Sequence, residues 1–73
     1  MAEDPLAQAE RHVREGEHRV FEQTKRVVRL KADGEPERAI AAAEAVLATL
    51  QQELLLAREH LGIERRARGI PPD

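Results

Sequence analysis

Two runs of small and apolar side chains, each at alternating spacings of three and four residues, flank the segment Ala32-Asp33-Gly34-Glu35-Pro36. The first run holds Leu6, Ala9, Val13, Gly16, Val20, Gln23, Val27 and Leu30, with Gln23 the polar exception. The second holds Ile40, Ala43, Leu47, Leu50, Leu54, Ala57 and Leu61. Such spacing aligns side chains along one side of a helix, whereas a strand would alternate every second residue. Between the runs, Gly34 suits the left-handed residue that follows a helix, and Pro36 suits the first position of the next. Asp4-Pro5 reads as a helix start, because the carboxylate accepts from free backbone N–H groups and Pro is tolerated where its missing N–H costs nothing.

The expected fold is therefore all-α, an antiparallel two-helix hairpin forming a single domain. Helix 1 is expected over about residues 5–32, the turn at 33–36 and helix 2 over about 37–66. Gly62 loosens the last turn of helix 2, and Gly69-Ile70-Pro71-Pro72 ends it. Arg65, Arg66 and Arg68 near that end favour the negative pole of the helix dipole.

Folding the helices back at Gly34 pairs positions whose numbers sum to roughly 70, from antiparallel heptad registry. Leu54 then lies over Gly16, Leu61 over Ala9, Val13 over Ala57 and Val27 over Ala43, while Val20 meets Leu50. Large side chains face small ones, as interdigitating helices require. The sequence has few other resources. Of its 30 hydrophobic residues 12 are Ala, Phe21 is the only aromatic, and without Cys there is no disulfide to staple a small fold. Phe21, Val28, Val46, Leu55 and Leu56 lie beside the seam, where one hairpin cannot cover them all. They are the expected oligomer interface, with a second copy completing a homodimeric four-helix bundle. If a dimer kept an apolar groove, the alternative occupant would be a helix of another protein.

Catalytic chemistry finds little footing. There is no Ser and no Cys, Thr24 and Thr49 are the only aliphatic hydroxyls, and the four glycines form no phosphate loop. No catalytic residue and no cofactor are expected. Glu15 and His18 have the Glu-x-x-His spacing of di-metal carboxylate bundles, but the matching site on helix 2 reads Ala57-Arg58-Glu59-His60, with Ala where Glu belongs. Both residues also take outer heptad positions, and the spacing of His12 and His60 marks no zinc site, so no metal is expected. A metal alternative would need a two-fold axis to duplicate Glu15 and His18, with Glu22 turned inward beside them.

Charge is more informative. Residues 1–32 carry seven basic and six acidic groups, whereas 33–63 carry two basic and six acidic, which makes helix 2 an acidic rod. The outer face of helix 1 sets Arg11, Arg14 and Lys25 around Phe21, a stripe able to meet phosphates and stack a base. A net charge of −2 and a lone aromatic favour the other reading, in which these cations pair with Glu10, Glu15, Glu17 and Glu22 through local helical spacing. Met1 to Pro5 has no basic-then-apolar run, so neither a signal nor a transit peptide is expected and the default compartment is the cytoplasm. The apolar run from Ala39 to Leu50, interrupted by Glu44, is shorter than the ~20 residues of a membrane span, and no membrane association is expected.

In architecture alone, a hairpin of this length with a basic, Phe-bearing face resembles the Rop-type plasmid copy-number regulators, homodimeric bundles that bind paired RNA loops. A closer likeness rests on Glu10-Arg11-His12-Val13, Gly16-Glu17, Gln23, Arg29-Leu30, Asp33-Gly34, and Ala43, Leu47 and Leu50. In these features the chain is similar, from about Glu10 to Arg66, to short uncharacterised bacterial helical-hairpin proteins. That resemblance implies a hairpin fold and a bacterial source, and carries no activity or site residue with it.

Overall fold

The computed structural model describes residues 2–71. Two helices run antiparallel, α1 over Pro5–Ala32 and α2 over Glu37–Ala67, in a slab with principal extents of 50 × 26 × 16 Å. The slab is two helices broad and one helix layer thick.

The helix ends follow from local chemistry. The Asp4 carboxylate accepts from the Ala7 N–H at 3.3 Å, with Pro5 opening the first turn. Arg68, at the far end of α2, pairs with the same carboxylate and fastens the C-terminus of α2 to the N-terminus of α1. Both helices end alike. Gly34 has φ +68°, its N–H donates to the Lys31 carbonyl at 3.2 Å, and the Glu35 N–H reaches back to Leu30 at 3.1 Å. Gly69 has φ +74°, with Gly69 bonded to Arg66 at 3.0 Å and Ile70 to Arg65 at 2.9 Å. Each is a Schellman closure in which glycine takes the left-handed position and a proline follows two residues later. Pro36 departs from the position expected for it. It stands one residue earlier, as the cap of α2 with φ −56° and ψ 145°, because the Schellman closure leaves the chain extended before Glu37 begins the helix.

Every residue of the two seams is buried or half-buried, from Ala9 at 1% exposure to the half-buried Leu6 and Ile40. Gly16 meets Leu54 as the register requires: a Cβ built on Gly16 would lie 3.1 Å from Leu54 Cδ1 and 3.6 Å from Leu54 Cβ. The polar exception in the seam is satisfied across it, since Gln23 Nε2 donates to the Ala43 carbonyl at 2.9 Å. The small side chain of Ala43 is what lets the amide reach its backbone.

The helices differ in the width of their apolar surface. On α1 it is confined largely to the seam plus Phe21 and Val28, whereas the N-terminal half of α2 is apolar around most of its circumference. An 18-residue window of α2 is accordingly long and apolar enough, by length and composition, to cross a membrane, although its uninterrupted apolar run is shorter. Only 11% of that window is buried in the hairpin, so α2 carries apolar surface that α1 does not cover.

Candidate interaction surfaces

Antiparallel pairing gives the slab two unlike faces. On the first, ion pairs cross between the helices, Glu17 to Arg58 at 3.3 Å and Lys31 to Glu44 at 3.2 Å. Phe21 follows Glu17 by four residues, Val28 precedes Lys31 by three, and Leu55 precedes Arg58 by three, so all three lie along this side. On the second face the helices part into shallow open grooves. One is lined by Arg19, His12, His60, Glu53 and Leu56, and another by Arg26, Ala39, Ala42 and Val46.

The five side chains expected at one oligomer interface thus divide. Phe21, Val28 and Leu55 flank the ion-paired face, while Val46 and Leu56 border the grooves. All five are exposed, as is Ile63, one heptad beyond Leu56. Leu55 and Leu56 are adjacent in sequence and straddle the outer back of α2, the side turned away from α1.

The stripe around Phe21 is locally neutralised. Arg11 donates to Glu3 at 2.7 Å and to Glu15 at 3.2 Å, and Lys25 pairs with Glu22 at 3.3 Å while its ammonium sits 5.0 Å from the Phe21 ring centroid. Phe21 remains 60% exposed. The hydrogen bond from Arg11 holds the Glu3 carboxyl below the usual carboxylate range, and the same bond raises the Arg11 guanidinium. Arg14 is exposed. Arg19, Arg26 and Arg29 line a further groove with His18 and Leu50, on the side away from Phe21.

Glu15 and His18 border one shallow open groove together with Arg14 and Arg19, with no third ligand beside them. Arg11 engages Glu15, Lys25 engages Glu22, and His18 is exposed, and no group of three or more His, Asp or Glu side chains able to hold a metal occurs among the described residues. His12 and His60 line one groove from opposite helices, a proximity their sequence spacing hides. No family model matches the chain, and neither a curated protein nor a solved structure matches it.

Proposed function

We propose that this chain is a non-enzymatic, self-associating helical interaction module, most simply a homodimer that completes a four-helix bundle. The observation that carries the reading is the uncovered surface of α2. The N-terminal half of α2, apolar around most of its circumference, requires more apolar cover than the one side that α1 supplies. The hairpin exposes 5590 Å² for 8.2 kDa, roughly 1,000 Å² more than the about 4,500 Å² of a compact monomer of that mass. That excess is comparable to the roughly 800 Å² each partner contributes to a stable protein interface. A single-layer slab is what half of a bundle looks like.

Sedimentation equilibrium at micromolar concentration tests this. A mass twice 8.2 kDa is expected, and a folded, stable monomer would refute it. The RNA-binding alternative has the exposure of Phe21 in its favour. The carboxylates on Arg11 and Lys25, and the ammonium over the ring, weigh against it. Under that alternative, binding of a paired-loop RNA would weaken steeply with salt and fall on Phe21→Ala without loss of helicity.

A further inference from the structure

We propose that the contact completing the assembly is α2 against α2 of a second copy, antiparallel about a two-fold axis passing near Ala48 and Thr49. This rests on the self-association reading and adds to it the surface, the orientation and the register; because the surface is the side of α2 turned away from α1, it sets the four helices in one continuous layer with α1 outermost, in place of a two-layer bundle.

The outer back of α2 is divided by size. Ala41, Ala42 and Ala45 occupy its N-terminal half, and Leu55 and Leu56 its C-terminal half, all exposed. Two copies running parallel would set alanine on alanine and leucine on leucine. Running antiparallel with position numbers summing to about 97, they set Ala41 beside Leu55 of the second copy and Ala42 beside its Leu56, so that each half fills the other. At the axis Ala48 and Thr49 are small, which lets the backbones approach, and one turn away the exposed Gln52 of each copy lies over Ala45 of the other. Thr49 is no obstacle there, because its hydroxyl donates to the Ala45 carbonyl of its own helix at 3.2 Å.

Charge selects the same register. Arg38 and Glu59 lie on this back, both exposed, and neither makes an ion pair among the described residues. Twenty-one residues separate them, roughly 30 Å along the helix, so they do not meet within one chain. Their numbers sum to 97. The antiparallel pairing that mates alanine with leucine therefore sets Arg38 of each copy against Glu59 of the other, once at each end.

The chain has no cysteine, so single-cysteine variants report on this geometry without background. The experiment oxidises full-length Ala48→Cys and Thr49→Cys, with Val28→Cys on helix α1 as the comparison, and follows sedimentation of Arg38→Glu and of Arg38→Glu/Glu59→Arg. Residues at the axis sit beside their own copies, within the Cα separations a disulfide spans. The expected result is rapid disulfide dimer for at least one of the two α2 variants and none for Val28→Cys. Arg38→Glu should raise the dimer dissociation constant at least tenfold, and the double swap should restore it. A dimer in which Val28→Cys cross-links while Ala48→Cys and Thr49→Cys do not, or in which the double swap fails to rescue, overturns the α2 pairing and leaves self-association standing. A monomer for the unmodified chain overturns both.

Discussion

Gly16 and Gly62 occupy the same kind of position, inside a helix, for different reasons. Glycine in a helix interior costs about 1 kcal/mol against alanine. Around Gly62 nothing lies within 4 Å of an added Cβ, so Gly62→Ala should raise stability by about 1 kcal/mol. At Gly16 an added Cβ presses on the flexible end of Leu54, and Gly16→Leu should cost about 1–3 kcal/mol through overpacking. Thermal melts of the two variants check the contrast in sign, and a more stable Gly16→Leu would contradict the register. Glu3 offers a second residue-scale test. Its pKa is lowered in the folded chain, so its pairing with Arg11 contributes at pH above the ordinary glutamate range and is lost as pH falls through the lowered value. A carboxyl resonance for Glu3 that titrates below that of a free glutamate is expected. The seam positions were legible from spacing alone. The partner of Gln23 was not, because it is a backbone carbonyl made reachable by the smallness of Ala43.

At the scale of the helices, the ends were legible because their chemistry is local: a capping carboxylate before Pro5 and glycines where φ must be positive. Gly34→Ala should therefore destabilise by about 1–2 kcal/mol, the cost of forcing a Cβ into the left-handed region, although nothing crowds the site. The tie from Asp4 to Arg68 was hidden, since it joins residues 64 apart that meet only once the hairpin closes. Asp4→Ala removes both the cap and this tie, and a loss of about 1–2 kcal/mol in a denaturant melt is expected, mostly from the cap, because an exposed ion pair adds little. The division of the exposed apolar residues is likewise absent from the sequence pattern. The seam identifies side chains that lie beside it, but the cross-helix pairs Glu17 to Arg58 and Lys31 to Glu44 are what tell one side from the other.

For the whole molecule, a single layer of two helices leaves a narrow core: among the described residues Ala9, Val27, Ala43, Leu54 and Leu61 are its buried members, and two of these five are alanine. So small a core supplies little stability alone, and under the proposed self-association a second copy adds further burial. Folding and assembly are then linked by mass action, and a folded state that is dimeric becomes more stable as concentration rises. The direct test is the thermal midpoint of the unmodified chain measured from about 1 to 100 μM, a span over which linkage to dimer formation displaces the equilibrium measurably. For a self-associating chain the midpoint climbs steadily with concentration, alongside a mass of twice 8.2 kDa before the transition. A midpoint that stays constant across that range, with the mass of one chain, would contradict self-association.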